Sequence, residues 1–255
     1  MLLLLSPAKS LDLSSKINCT RSSLPIFQKK ASDLAQILKK LSTQDLQNLF
    51  GISEKLSQLN YDRYQNFIDD YNGKNSRQAI LCFNGDVYSR IETDKFNEKD
   101  FDFAQDHIMI LSGLYGLLRP LDLMQPYRLE MGTRLSKNKT LQQHNIKDLY
   151  DFWQNSVAQI LNQGQGDIIN LASNEYFSVV NPSLIKKNII DIAFKDKKNG
   201  VLKIIGINAK RARGAMANFV IKNKITQSQD LKKFNEDGYQ FANELSGDNN
   251  WVFVR

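Results

Sequence analysis

Met1-Leu2-Leu3-Leu4-Leu5 opens the chain as an unbroken apolar run and stops at Ser6-Pro7-Ala8-Lys9. It is too short for a helix, and it lacks the polar–apolar alternation of a strand with one wet face. Such a run reads as a strand covered on both sides, and Ser-Pro ends it. Two more stretches have the same character. Ile108-Met109-Ile110-Leu111-Ser112 runs into Gly113, and Asp167–Ala172 runs into Ser173-Asn174-Glu175. If these three strands are parallel neighbours, their carboxyl ends share one crevice.

Helical periodicity fills much of the space between them. From Pro25, the residues Phe27, Ala31, Leu34, Leu38 and Leu41 recur on one face of a 3.6-residue period. Ile146–Gln163 carries Leu149, Phe152, Trp153, Val157, Ile160 and Leu161 on one face, and Asn97 and Asp100 cap a helix reaching His107. Ala209–Lys224 predicts a basic helix with Ala212, Met216 and Phe219 inward. Ala79–Phe83 and Trp251–Val254 read as strands, as do Asn188–Phe194 and Val201–Ile207 on either side of an Asn199-Gly200 turn. Residues 10–24 and 121–145 read as irregular. No repeat, linker or boundary divides the chain. The expected fold is a single α+β domain over 1–255, a mixed sheet flanked by helices.

Composition narrows the function. With 42% apolar residues the chain can bury a real core. No apolar run is long enough to span a membrane, and Met1–Leu5 lacks the basic start and length of a secretory signal. Cys19 and Cys82 make no disulfide framework, which fits a reducing, cytoplasmic setting. Only His107 and His144 are present, in no cluster with metal-ligand spacing, so no metal or cofactor is expected. The net charge of +7 is unevenly spread. Lys195 to Lys233 holds eleven Lys or Arg against two acids, so the rest of the chain is slightly acidic. A basic segment of this kind suits a polyanion or a solvated face.

Three constellations can carry chemistry. Residues 43–67 read as two helices meeting at Phe50-Gly51-Ile52-Ser53-Glu54-Lys55-Leu56, with Ser42 and Asp45 capping the first and Ser53 the second. The second helix carries Leu56, Leu59, Tyr64 and Phe67. A helix–hairpin–helix of this form receives phosphate on free amides at Gly51, Ile52 and Ser53, with Lys55 beside them. An ordinary helical corner with a glycine cap fits the same pattern. The second constellation is Lys210-Arg211-Ala212-Arg213, whose charges span about 300° of helix at 100° per residue. Lys222 and Lys224 extend it. The third is the strand ends: Lys9, Ser112, Ser173, Asn174 and Glu175 would face one another, with Arg119, Arg128 and Glu130 near by, in a pocket suited to an anion or to acid–base work. Turns built of Ser, Gly, Pro and Asn would look the same.

Several segments together resemble the YaaA peroxide-stress family: Ser6–Lys9, Phe83-Asn84-Gly85-Asp86-Val87-Tyr88, Leu111 to Gly132, Asn170-Leu171-Ala172-Ser173-Asn174-Glu175-Tyr176-Phe177, and Lys210–Gly214. The resemblance covers nearly the whole chain. It implies a cytoplasmic protein that limits peroxide damage linked to intracellular iron and binds double-stranded DNA. It also implies an unusual mixed fold, a basic cleft and a helix–hairpin–helix. Carried over, the DNA-binding positions are Gly51, Ile52, Ser53, Lys55, Lys9, Arg128, Lys210, Arg211 and Arg213. The resemblance implies no agreed reaction, membrane contact or obligate protein partner. A rival expectation is an enzyme acting on a nucleic acid or nucleotide at Lys9, Ser112, Ser173 and Glu175.

Overall fold

The computed structural model describes residues 1–16, 19–144 and 146–255. Its frame is a mixed sheet of β1 (Leu2–Leu5), β2 (Ile108–Ser112), β3 (Gly116–Leu118), β4 (Ile168–Asn170), β5 (Ile189–Lys198), β6 (Val201–Lys203), β7 (Gln240–Phe241) and β8 (Asn250–Val254). The order is β7-β8-β5-β4-β1-β2-β3, with β6 folding back on β5. The strands from β8 to β2 run parallel, and β3, β6 and β7 pair antiparallel at the margins. Leu3, Leu4 and Leu5 are all buried, although neighbours on a strand point to opposite faces. Both faces are therefore covered, as the unbroken apolar run predicts.

The helices are α1 (Gln28–Leu38), α2 (Thr43–Phe50), α3 (Glu54–Gln65), α4 (Glu98–His107), α5 (Leu149–Leu161) and α6 (Gly206–Asn223), besides shorter turns. Ser42–Asp45 and Asn97–Asp100 form the expected capping boxes. On α5, Leu149, Trp153, Val157 and Leu161 are buried, and the Trp153 indole donates to Gly113 O at 2.9 Å. Asn199 and Gly200 take positive φ and close the β5–β6 hairpin. Among the described residues, no helix is long and apolar enough to cross a membrane.

Several expectations fail. The strand expected over Val201–Ile207 ends at Lys203, because α6 begins at Gly206, and Ser10–Leu11 within the expected loop is a short strand. Ala79–Phe83 is not a strand: Ala79–Cys82 is a helical turn, and only Phe83–Asn84 extends, pairing with Ser10–Leu11. The Ala79 and Ile80 amides bond Asp122 O and Pro120 O, so tertiary partners replace a ladder. Within 121–145, Leu123–Met124 forms a short strand and Lys139–Gln142 a helical turn; Asn145 lies outside the described residues.

The expectation for the second helix holds in part: Tyr64 and Phe67 are buried at 1% exposure. Leu56 and Leu59 are 41% and 43% exposed, while Ser57, Asn60 and Tyr64 face inward. The Ser57 hydroxyl donates to Thr43 O across the hairpin, and Tyr64 donates to Arg128 O at 2.6 Å. Close approach of α2 and α3 at Ser57, together with the buried Tyr64, orients the helix.

Candidate nucleic-acid interface

β4, β1 and β2 lie side by side and parallel, so their carboxyl ends do meet. Just beyond them, the Ser173 amide donates to Ser6 Oγ at 2.8 Å and ties the chain after β4 to the chain after β1. Between these ends, the Asn84–Tyr88 turn and α6 lies a crevice of 310 Å3. Lys9, Ser173, Glu175, Lys210 and Arg213 line it. A smaller groove continues from it past Lys9 and Tyr176 to Arg128 and Glu130. Residues expected at two separate places, the strand ends and the basic helix, thus share one concavity.

Ser112 does not take part. It is fully buried, bonded to the Tyr127 hydroxyl at 2.6 Å and accepting from the Tyr115 amide at 3.0 Å. It fixes the turn after β2 from inside the core. Asn174 faces a separate pocket against the sheet. Arg119 is held at 3.0 Å by the buried Asp122. The alternation is simple: Leu171, Ser173 and Glu175 line the crevice, while Asn170, Ala172 and Asn174 line the pocket behind it.

The crevice cations are not equivalent. Glu130 holds both Lys9 at 3.0 Å and Arg128 at 2.9 Å, so one carboxylate neutralises part of that pair. Arg211 lies 3.9 Å from Asp86 and is half exposed. Among the described residues, Lys210 and Arg213 have no carboxylate within ion-pair distance. The Arg213 Nε is buried without a hydrogen-bond partner, and burial lowers the pKa of its guanidinium. It stays charged all the same, because a guanidinium does not deprotonate in proteins. The 300° between Lys210 and Arg213 is 60° the other way round, and three-residue neighbours share a helix face. The expectation that these charges scatter is corrected: two of the three converge on the crevice.

Three other cations of the basic segment have structural duties. Lys222 and Lys224 both bond the buried Asp100 carboxylate of α4. Lys232 sits over the Phe241 and Trp251 rings. These lysines pin elements together instead of extending a positive surface.

The α2–α3 corner has the glycine cap that a helix–hairpin–helix and an ordinary helical corner share. Gly51 is left-handed at φ 60°, and its neighbour's amide, Ile52 N–H, donates back to Gln47 O at 3.3 Å. That bond and the Gly51 bond to the same carbonyl occupy two of the amides expected to meet phosphate. Ser53 sits at the cap position, but its side chain makes no capping bond. Glu54 and the exposed Lys55 occupy the first turn of α3. Beside the corner, a wider cleft of 620 Å3 runs between α2 and residues 132–140. Arg134, Lys137 and Lys139 line it, with Asp45 opposite. Gly132 lies on this cleft, and its amide donates at 3.1 Å to Glu175 of the crevice, so the two depressions adjoin.

Sequence reasoning missed Asp86, Tyr88 and Tyr176 as crevice residues and missed the three cations of the cleft. The Asn84-Gly85-Asp86 turn after a strand was a usable signal for the first of these. The Tyr88 hydroxyl is committed to Ser6 O at 2.8 Å, which places its ring beside the β1 end.

The architecture is that of an α+β protein with parallel strands at the centre of its sheet and a mixed-charge crevice at their carboxyl ends. The chain belongs to the family of the peroxide stress protein YaaA, whose family model matches residues 1–245. It is similar to a UPF0246 protein of Teredinibacter turnerae, 47% identical over 260 residues, covering 100% of this chain and 99% of the relative. A UPF0246 protein of Acaryochloris marina is 46% identical over 258 residues, with both chains fully covered.

Proposed function

We propose that this protein binds duplex DNA through its sugar–phosphate backbone and in that way limits iron-linked peroxide damage. The observation that carries the reading is the pair Lys210 and Arg213, cations held at a concave surface without a carboxylate partner among the described residues. A guanidinium and an ammonium without carboxylate partners at a crevice suit a phosphate, which supplies the counter-charge. From there a positive path passes Gly132 to Arg134, Lys137 and Lys139, beside the α2–α3 corner. Lys55 and the open amides at the start of α3 supply a second grip, while Glu54 weakens it. The cations along this path suit phosphates, so contacts are to backbone and binding tolerates sequence.

The test is fluorescence anisotropy with unrelated duplexes between 50 and 200 mM salt. Six phosphate contacts lower affinity by roughly a thousandfold over that range. The double variant Lys137→Glu/Lys139→Glu weakens every duplex alike. Strong preference for one sequence, or indifference to salt, refutes the reading. A second reading, an enzyme acting on a nucleic acid or nucleotide, is favoured by one feature: Glu175 and Asp86 line the same crevice as the cations. Release of product from nucleotides or DNA by the full chain tests it.

A further inference from the structure

We infer that the strand-end crevice is a pocket for one nucleotide unit, a phosphorylated sugar carrying a base, seated with its phosphate on Lys210 and Arg213. This rests on the proposal that those cations meet phosphate, and it adds what that proposal does not need. A duplex backbone rests on a ridge or an open groove. The crevice is instead a recess of 310 Å3, at the lower end of the range of small-ligand sites and too small for a double helix.

Its lining divides as a nucleotide does. Lys210 and Arg213 stand together on the first turns of α6, three residues apart on one helix face. The Arg213 Nε has no protein partner, although the atom is out of contact with solvent. Leaving a charged donor in that state is costly, and the Arg213 side chain lines the recess with no carboxylate to offset its charge among the described residues. Away from the cations, Pro7, Val87, Leu171 and the rings of Tyr88 and Tyr176 give an apolar, partly aromatic wall. The Tyr88 hydroxyl is already spent on Ser6 O, and the Tyr176 hydroxyl bonds Met131 backbone. These residues therefore present ring surface, which suits the face of a base. Glu175 is held by the Gly132 amide at 3.1 Å, and Asp86 lies near Arg211. Both are acceptors placed for sugar hydroxyls or base amines.

A nucleotide unit has two sources, a free mononucleotide or an unpaired nucleotide within a strand, and the experiment separates them. The full chain is titrated calorimetrically with deoxyadenosine 5′-monophosphate and with deoxyadenosine. In parallel, its affinity for a blunt duplex is compared with that for the same duplex carrying a one-nucleotide overhang. The expected result is that the monophosphate, but not the nucleoside, binds. Lys210→Ala weakens it about tenfold, as loss of one charged hydrogen bond requires. Lys210 is exposed, so that variant keeps its fold, and Arg213→Lys reports on the second cation. Lys40→Ala, far along the chain on an exposed turn, leaves binding unchanged. Tighter binding of the overhang than of the blunt duplex assigns the pocket to unpaired nucleotides in DNA. Monophosphate binding without that preference assigns it to free nucleotides. If neither the monophosphate nor the overhang gains anything from Lys210, the pocket is not a nucleotide site. Blunt-duplex affinity that persists in that case leaves the DNA-binding proposal standing, and loss of all duplex binding with nucleotide binding intact overturns only that proposal.

Discussion

Reversing the charge of Lys55 isolates what the α2–α3 corner contributes. Lys55 is exposed in the first turn of α3 and, among the described residues, has no ion-pair partner. Removing it therefore orphans nothing. Glutamate there is favoured by the helix dipole by about 0.3–1 kcal/mol, so the variant folds at least as well. If Lys55 neutralises one phosphate, its loss flattens the plot of log affinity against log salt by about 0.9. Over a fourfold salt range one contact accounts for about a three- to fourfold change in affinity. Repulsion between the new carboxylate and the phosphate adds to the loss at low salt. The expected Lys55→Glu defect is thus about tenfold at 50 mM and clearly smaller at 200 mM. Lys40→Glu, also exposed and close in the chain, controls for net charge. The assay is anisotropy on one labelled duplex across salt, with melting curves to show equal folding. Equal defects in the two variants refute the phosphate-gripping corner. The turn would then be a helical bend with a glycine cap, and the crevice and cleft cations would carry DNA alone.

Other outcomes test the frame and the thiols. A Cβ on Gly214 would lie 1.9 Å from Val87 O, so Gly214→Ala must part α6 from the turn bearing Tyr88. The expected cost is about 3 kcal/mol, a melting point about 6 °C lower or more, and weakened DNA binding in the same variant; an unchanged melting curve refutes that close contact. Burial pushes the Cys82 thiol up to about 12 and Cys19 is buried too, so native protein should react slowly with a thiol reagent at pH 8. A Cys19→Ser/Cys82→Ala variant that folds should restore peroxide resistance to a deletion strain; failure to do so would reveal thiol chemistry. Burial alone would raise the Asp100 pKa, but bonds from Lys224, the Asn97 amide and Lys222 outweigh it and hold it at about 2 against an ordinary 3.8. A lowered carboxylate stabilises the fold above its unfolded pKa, and that contribution disappears as pH falls from about 4 to about 2. Asp100→Asn should flatten the melting-point profile in that window and nowhere else.

The elements that could be read in advance are those decided by local rules. Unbroken apolar runs marked β1, β2 and β4, and capping boxes marked the starts of α2 and α4. The faces of α3 and the fate of Ala79–Phe83 could not be read, because distant partners decide them. Ser57 turns inward to reach Thr43 O, and the amides of Ala79 and Ile80 are taken by residues 120 and 122. The same division runs through the candidate site. Ser112 and Ser173 both end apolar strands and look alike in sequence. Yet the Ser112 hydroxyl meets Tyr127 in the core, and Ser173 meets Ser6 at the crevice.

Charge shows the distinction most sharply, and it bears on how a basic segment is to be judged. Lys195 to Lys233 looks uniform as a string of cations. In the fold, Lys222 and Lys224 are consumed by Asp100, Lys232 by aromatic rings, and Arg211 leans on Asp86. Lys210 and Arg213 have no such partner among the described residues, and they are the two cations of the segment that line the crevice. A counter-ion absent from the protein's own described side chains is a more specific pointer to phosphate than the net charge of the segment. Lys9 and Arg128 illustrate the converse: both stand at the crevice, but Glu130 already occupies them. A phosphate arriving at Lys210 and Arg213 displaces no ion-paired carboxylate among the described residues, whereas one arriving at Lys9 must compete with Glu130. The order of importance for an anion is therefore Lys210 and Arg213 before Lys9 and Arg128, an ordering that neither helical periodicity nor charge counting could supply.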